Sequence, residues 1–259
     1  MLSKGQVSFI RSLRTGKYRE EHQSFSAEGP KLAEEILSSN LEIQGIYALE
    51  SWVVAHPEIL RQFQGKLTII SSQELTKISN LTTPNEVIVV AGIPTRDIKK
   101  EELCNGISIL LDDIRDPGNL GTIIRLADWF GIERIICSKQ TVDMYNPKVV
   151  QSSMGSITRV NVYYEELREI IESNKGKIRV YSAVMDGRNI YTTDIQDNAF
   201  IVIGNESHGI SDEIALLSDE KISIPFFRQG AESLNASVAA AIVISEFKRK
   251  SYICATNPE

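Results

Sequence analysis

Two hydrophobic patterns divide the 259-residue chain. In the first, short apolar runs alternate with amphipathic segments of helical period, which predicts a small α/β domain over residues 1–97. In the second, over residues 106–259, strands that are apolar throughout alternate with helices, as in a parallel sheet buried on both faces. Residues 95–105, TRDIKKEELCN, are mostly charged, and 98–105 are interpreted as the linker.

The first domain is predicted to begin with a helix over 3–14, in which Val7, Ile10 and Leu13 share one side. A polar turn follows, and Pro30 then starts another helix. Strands are expected at 43–49, 66–71 and 86–93, and helices at 56–63 and 72–79. No dinucleotide-binding or phosphate-loop glycine motif is present. Binding is therefore its expected role.

The second domain opens with a buried strand that leads to Asp116 and a proline, a typical helix start. The helix is expected to end at Gly131. Its predicted core side is the apolar stripe of Leu120, Ile123, Ile124 and Ala127. Asn119 lies at the mouth of this helix, and Arg125 lies about two turns further on. Arg125 is interpreted as a surface residue or as an ion-pair partner of Asp128.

Two further junctions place polar residues after apolar strands. The strand 199–204 ends at Gly204 and is followed by Asn205 and Glu206. A shorter strand stops at Pro225. The loop beyond it leads to Ser-Leu-Asn at 233–235, which would cap a helix over 236–247. Ligands of parallel sheets bind at the carboxyl ends of strands. Both junctions are therefore candidate parts of a site.

Composition limits the class of protein. The chain has no apolar run long enough for a membrane span, and its first residues lack the apolar centre of a secretion signal. Cys104, Cys137 and Cys254 lie too far apart for a disulfide scaffold or a metal site. These features favour the cytoplasm, with no membrane partner and no metal.

Charge is uneven along the chain. The net charge is −6, which speaks mildly against a protein coated with nucleic acid. Five basic residues nevertheless precede the first acidic residue, Glu20; they are Lys4, Arg11, Arg14, Lys17 and Arg19. This cluster is interpreted either as a patch for nucleic-acid phosphates or as a solvated helix face.

Three stretches together resemble the motifs of the SpoU-type RNA ribose 2′-O-methyltransferases of the SPOUT superfamily. They are DDIRDPGNLGTIIRLADWFG (112–131), FIVIGNESHGIS (200–211) and ISIPFFRQGAESLNASVAAA (222–241). Each motif is weak alone, but their order and spacing also match. FSAEGPKLAEE (25–35) is similar to the opening of the family's substrate-binding domain.

The resemblance implies a fold that hydrophobic periodicity does not show. The catalytic domain would be an α/β parallel sheet with a trefoil knot, and the first domain would resemble the L30e/L7Ae type of RNA-binding fold. The family uses S-adenosyl-L-methionine as cofactor and works as a homodimer through the C-terminal domain. The expected partner is RNA, with ribosomal RNA favoured over transfer RNA and no DNA.

The resemblance also implies a set of site residues. The family's catalytic positions correspond to Asn119, Arg125, Glu206, Ser233 and Asn235. Its cofactor-binding positions correspond to Gly204, Ile224 and Leu234. Glu206 is expected to hold Arg125 or Asn235 through charge-assisted hydrogen bonds. Gly204, which has no Cβ, would let the cofactor approach the backbone.

The third motif departs from the family pattern. Ala236 stands where valine is usual, and the loop before Ser233 is one residue longer. This loop contains Phe226 and Phe227, for which core packing is favoured over base stacking.

Two alternatives remain at this point. One is a non-catalytic RNA-binding protein. The other is a hydrolase with Ser233, His208 and Asp212 as its triad, although no nucleophile-elbow motif surrounds the serine.

Overall fold

The computed structural model describes residues 1–98, 103, 105–227 and 233–256. In chain order the strands are β1 Ser24–Glu28, β2 Ile43–Ala48, β3 Leu67–Ile69, β4 Val87–Gly92, β5 Ile107–Asp112, β6 Arg134–Cys137, β7 Asn161–Tyr164, β8 Arg179–Asn189, β9 Ala199–Gly204 and β10 Glu220–Ser223. The helices are α1 Lys4–Ser12, α2 Gly16–His22, α3 Pro30–Leu37, α4 Glu50–Ala55, α5 Pro57–Leu60, α6 Ser72–Ile78, α7 Pro117–Trp129, α8 Pro147–Ser153, α9 Leu167–Ser173, α10 Asp212–Leu216 and α11 Ala236–Thr256. Short 3-10 helices span Arg61–Lys66 and Ser156–Thr158.

The chain forms two compact units. The first contains Met1–Thr95 and Asp143–Thr158, and the second contains Arg96–Val142 and Arg159–Glu259. The segment 143–158 belongs to the first unit, although the sequence pattern assigned it to the second domain. The predicted boundaries at 98 and 105 stay a prediction.

The first unit is built on a four-stranded sheet of order β1-β4-β2-β3. β4 runs antiparallel to β1 and β2, whereas β2 and β3 are parallel. Its core includes Ile10 of α1 and Leu13 directly after this helix, which pack with Leu75 and Ile78 of α6. The predicted apolar side of α1 is therefore confirmed for these two residues, and Val7 packs against the same cluster while remaining partly accessible.

The stretch after α1 was predicted to be a polar turn, and this prediction is wrong, because it forms α2. The side of α2 that is buried carries an arginine in place of an apolar residue. Arg19 is 4% exposed and donates to Asp143 Oδ2 at 2.9 and 2.5 Å and to the Leu13 carbonyl at 2.8 Å. A charged residue on the buried side leaves no apolar period to detect.

The second unit is built on a six-stranded sheet of order β10-β8-β9-β5-β6-β7, in which every adjacent pair is parallel. Every residue of β5 is buried, and so are the first five of β9. α9 and α10 pack on one face. α11 packs against β9 and α7, with Phe247 edge-on to Tyr181 at 5.1 Å. The predicted parallel sheet, buried on both faces, is confirmed, while the trefoil knot stays a prediction.

Among the helices in the described part of the chain, none is long and apolar enough to cross a membrane. The Cys137 thiol is free and buried, and burial raises its pKa. Cys104 lies outside the described residues.

Candidate active site

The candidate site lies at the carboxyl ends of β5 and β9. The two strands are neighbours, and Asp112 at the end of β5 pairs with Gly204 at the end of β9. From β5 the chain continues to β6 on one side, whereas β9 is followed by β10 on the other side. Such a reversal of strand order opens a crevice at the carboxyl edge of a parallel sheet.

Asn119 is positioned by the first turn of α7. Asp116 caps the helix by accepting a hydrogen bond from the Asn119 backbone N–H at 2.9 Å, as predicted. The predicted stripe of Leu120, Ile123, Ile124 and Ala127 is fully buried and fixes the rotation of the helix. Asn119 itself is only 7% exposed, and its side-chain Nδ2 donates a hydrogen bond to Glu206 Oε1.

This bond determines which way the Asn119 amide faces. An ionised carboxylate only accepts hydrogen bonds, so the NH₂ group must face Glu206. The amide oxygen of Asn119 is then left to accept a hydrogen bond from another group. The two residues are 87 positions apart in sequence, and their contact joins the segments that follow β5 and β9.

Glu206 lies in a tight turn that is stabilised by hydrogen bonds within the turn and to the loop after β5. Asn205 and Gly209 exchange two backbone hydrogen bonds of 2.9 Å. The Asn205 side chain accepts from the Ser207 N–H at 2.8 Å and donates to the Asp113 carbonyl at 2.8 Å. The turn is therefore fixed both to itself and to the loop after β5.

The predicted partners of Glu206 were Arg125 and Asn235, and that prediction is wrong in this structure. Its hydrogen-bond partner is Asn119. Asn119 reaches Glu206 because α7 begins directly beside the end of β9, while Arg125 lies further along the helix.

Gly204 is required by the fold itself. A Cβ at this position would overlap the backbone of Gly209 and come within 2.5 Å of the Ile210 nitrogen. The sequence interpretation, which left this space for the cofactor, needs correction because the Asn205–Gly209 turn folds back over it.

Arg125 is exposed on α7. No carboxylate or carbonyl among the described residues accepts a hydrogen bond from its guanidinium. The alternative ion pair with Asp128 is wrong, because Asp128 binds Arg159 through contacts of 2.9 to 3.1 Å. Of the two predicted alternatives for Arg125, the surface residue is therefore the correct one. Its charge is available to a ligand.

The last residues of the third motif, from Ala236 onward, form the start of α11. This helix packs against α7. Asn235 Oδ1 accepts from the Ser237 N–H at 3.0 Å and the Ser237 hydroxyl at 2.7 Å, which confirms its predicted capping role. Ser233 is exposed and forms no cap bond within the described chain. Leu234 is 44% exposed.

Ile224 directly follows β10 and is partly buried. The backbone groups of Ile224 and Leu234 form no hydrogen bond with other described residues, so they can serve a ligand. Phe226 and Phe227 are 67% and 97% exposed, so the expectation that they pack in the core is wrong. Ile222 of β10 is the last fully buried residue before them, and burial decreases from Ser223 onward. The residues 228–232 of the same loop lie outside the described residues.

Asp112 and Asn205 were missed by the sequence interpretation. Asp112 is buried and its Oδ2 accepts from the Ser211 N–H and hydroxyl, both at 2.8 Å, which anchors the end of the β9 turn. A polar residue at the end of an apolar strand was the available signal for both.

The hydrolase alternative has no geometric support. His208 and Asp212 are exposed, and neither forms a hydrogen bond with Ser233 in the described structure.

Comparisons with known proteins agree with this geometry. A model of the SpoU rRNA methylase family matches residues 106–245, and a model of the MRM3-like substrate binding domain matches residues 4–89. The Bacillus subtilis 23S rRNA (guanosine(2553)-2′-O)-methyltransferase RlmP is 29% identical over 242 residues, which are 92% of this chain and 94% of that protein.

Two solved structures are similar over 96% of this chain. One is an RNA methyltransferase assigned to the TrmH family from Porphyromonas gingivalis, with 33% identity, a TM-score of 0.85 and 99% of that chain covered. The other is the AdoMet-bound rRNA methyltransferase from Sinorhizobium meliloti, with 25% identity, a TM-score of 0.85 and 96% covered.

The fold and the matched models define an RNA methyltransferase. The chain belongs to the SpoU rRNA methylase family, whose model covers more than half of it. The predicted α/β fold, with a parallel-sheet catalytic domain and a smaller N-terminal domain, and the predicted enzyme class are confirmed. The likeness of the first domain to L30e and L7Ae proteins stays a prediction.

Proposed function

We propose that this chain transfers the methyl group of S-adenosylmethionine to a ribose 2′-hydroxyl of ribosomal RNA. The observation that carries the proposal is the pairing of Asn119 with Glu206 at the carboxyl edge of the sheet. Asn119 shares its helix with Arg125, whose side chain has no partner among the described residues. Ribosomal RNA is favoured over transfer RNA because RlmP and the S. meliloti protein are both named for ribosomal RNA.

The reaction forms a bond from the ribose oxygen to the methyl carbon and breaks the bond from that carbon to sulfur. The products are S-adenosylhomocysteine, the 2′-O-methyl ribose and a proton. The sulfonium supplies an electrophilic methyl group when the cofactor is bound. The protein must therefore align the acceptor and favour loss of its proton.

Arg125 binds the RNA in this proposal. Guanidinium groups keep their proton under the conditions in which RNA enzymes work, so Arg125 does not act as the base. Its charge contacts the phosphate beside the target ribose and stabilises the negative charge that develops on the 2′-oxygen.

Asn119 and Glu206 orient the acceptor. Glu206 fixes the Asn119 amide, and the free Asn119 oxygen accepts a hydrogen bond from the 2′-hydroxyl or from Arg125. Ser233 and Asn235 form the wall between acceptor and cofactor, with Asn235 also capping α11.

The cofactor is held chiefly by backbone groups. The backbone groups of Ile224 and Leu234, which bond to none of the described residues, offer hydrogen bonds to an adenine ring, and their apolar side chains offer contact area. Gly204 contributes by leaving room for the Asn205–Gly209 turn, which carries Glu206.

Calorimetric titration with S-adenosylmethionine tests the cofactor assignment. We expect binding by the wild-type protein and none by Leu234→Arg. Leu216→Arg is the matched control, because Leu216 is a leucine on α10 that is 84% exposed. If both variants bind as the wild type does, the assignment of Leu234 is wrong. If the wild type binds no cofactor even with ribosomal RNA present, the function itself is wrong.

In this proposal the protein acts in the cytoplasm. It also works as a homodimer, which forms through its second unit. Exposed apolar residues lie near one another in sequence at the start of α11, namely Leu234 and Val238. Equilibrium sedimentation checks this, with a dimer expected for the wild type and a weakened one for Val238→Asp. A monomeric wild-type protein that still methylates RNA would contradict it.

A further inference from the structure

The first two helices carry cations that no described carboxylate neutralises. Lys4 and Arg11 lie two turns apart on the exposed side of α1, and Lys17 is exposed on α2. None of these three side chains forms an ion pair with a described carboxylate. Elsewhere several surface cations are paired with carboxylates. These include Arg61 with Glu58, Arg115 with Asp113, Lys139 with Glu166, Arg159 with Asp128 and Arg168 with Glu172.

The other two cations of the predicted basic cluster have structural roles. Arg14 donates to the Ser79 carbonyl at the end of α6, and Arg19 is buried against Asp143. Arg14 is still exposed, so only Arg19 is lost to ligands; Lys4, Arg11 and Lys17 are the cations of the cluster whose side chains form no hydrogen bond or ion pair with the described residues.

Aromatic rings accompany these charges. Tyr18 stacks on His22 with a centroid distance of 6.3 Å and an interplanar angle of 15°. Phe9 of α1 meets the same His22 edge-on at 5.2 Å, which links the two helices. The Lys17 ammonium lies 5.8 Å from the Tyr18 ring centroid. Tyr18 remains 39% exposed, so His22 supports the ring while part of it faces solvent.

Charge alone does not make this a strong electrostatic site. Glu20 and Glu21 are also exposed on α2 and partly offset the positive charge. A ligand that gains from both stacking and cations fits better than one that needs charge only. Unpaired RNA bases present flat faces to aromatic rings, and their phosphates meet the cations. Bases inside a duplex are stacked on each other and are not available to Tyr18.

We infer that α1 and α2 form a binding surface for a single-stranded segment of the RNA substrate. Tyr18 stacks on an unpaired base, His22 supports the Tyr18 ring, and Lys4, Arg11 and Lys17 contact phosphates. The inference rests on the proposed function for the identity of the substrate, because it assumes that the ligand is RNA. In this inference the surface of α1 and α2 recognises the RNA, and its residues are far in sequence from the catalytic residues.

Fluorescence anisotropy tests the stacking. The probes are a fluorescein-labelled 20-nucleotide single-stranded RNA of mixed sequence and the matching 20-base-pair duplex. We expect the wild type to prefer the single strand. Tyr18→Ala should weaken single-strand binding about fivefold to 150-fold, the range for loss of one stacked base. Tyr18→Phe keeps the ring and should bind as the wild type does.

The salt dependence tests the charges. Replacing both Lys4 and Arg11 by alanine should reduce the slope of log K against log salt by about 1.4, at about 0.7 per single-strand phosphate contact. Lys175→Ala is the charge control, since Lys175 is exposed in the segment before β8, at the amino edge of the sheet. This control should leave the slope unchanged.

The outcomes separate this inference from the proposed function. If Tyr18→Ala keeps its thermal stability, binds the single strand as tightly as the wild type and methylates ribosomal RNA equally well, the surface is wrong and the function stands. Equal loss of single-strand and duplex binding would also overturn the stacking role. If the wild type neither binds the cofactor nor methylates ribosomal RNA, the function fails whatever Tyr18 does.

Discussion

The two sides of the candidate site differ in how much the protein itself holds them in place. On one side, Asn119 is buried and bonded to Glu206, and the turn around Glu206 is closed by Asn205. On the other side, Arg125 and Ser233 are exposed and make no side-chain bond to described residues. The first side is preorganised, and we infer that the second side is completed by substrate.

The difference matches the roles proposed for each side. A group that orients the acceptor gains from being fixed before binding, because its ordering cost is met during folding. A group that contacts a phosphate gains from being unpaired, since an internal ion pair would first have to break. Substitutions on the two sides should therefore have different consequences for catalysis and for stability.

The largest expected effect follows from Arg125→Ala. Because Arg125 has no described partner, the variant should fold and bind S-adenosylmethionine normally, yet lose methyl transfer by about 100-fold to 1,000-fold. Single-turnover transfer to ribosomal RNA measures this. Arg125→Lys keeps the charge without the fork-shaped donor set and should recover part of the rate. Normal turnover by the alanine variant would refute its role.

A smaller effect on the rate is expected from Glu206→Ala, which leaves the buried Asn119 amide without its acceptor. We expect a loss of about tenfold in the transfer rate, together with a small loss of stability of about 1–3 kcal/mol for the unsatisfied donor. Glu206→Gln retains an acceptor oxygen and serves as the control. If the glutamine and alanine variants are equally slow, the role of Glu206 is not to orient Asn119.

Gly204→Ala should affect stability before it affects chemistry. The added Cβ overlaps the backbone of Gly209, so the turn that carries Glu206 must shift, at a cost of about 1–3 kcal/mol. Urea unfolding measures the change. Gly65→Ala is the control, because a Cβ there meets nothing within 4 Å and its stability should be close to that of the wild type. Equal stability of both variants would argue against the tight turn.

The smallest expected effect lies in the first unit and leaves the site unchanged. Glu74 accepts hydrogen bonds from the backbone N–H groups of Ser71 and Leu2, and these bonds lower its pKa to about 2. The ordinary pKa of a glutamate in an unfolded chain is about 4.3, so the stabilisation is present above that pH. It is lost as the pH falls toward 2.

Thermal unfolding of the wild type and of Glu74→Gln between pH 6 and pH 2.5 tests this. The wild type should lose more stability on acidification than the variant, because only the wild type has this carboxylate to protonate. If the variant loses as much stability on acidification as the wild type does, groups other than Glu74 cause that loss, and the prediction is wrong.

Local patterns predicted the local parts of the site. The cap at Asp116, the stripe from Leu120 to Ala127 and the cap at Asn235 all follow from spacing over one or two helical turns. The bond between Asn119 and Glu206 spans 87 positions and depends on strand order, which no periodicity reports. The partner of Glu206 was therefore mispredicted, although the residue itself was placed at the right edge.

Errors arose where burial and residue type disagree. α2 was missed because its buried residue is Arg19, which is stabilised by Asp143 far along the chain. Phe226 and Phe227 were assigned to the core because of their apolar rings, but the strand before them ends at Ser223. Sequence alone does not show where a strand leaves the core.

The most direct test of the central claim is nucleoside analysis of ribosomal RNA after incubation with the protein and S-adenosylmethionine. The RNA is digested to nucleosides and examined by mass spectrometry. We predict that one 2′-O-methylated nucleoside appears with the wild type and is absent with Arg125→Ala. A methyl group on a base, or equal methylation by both proteins, would contradict this account.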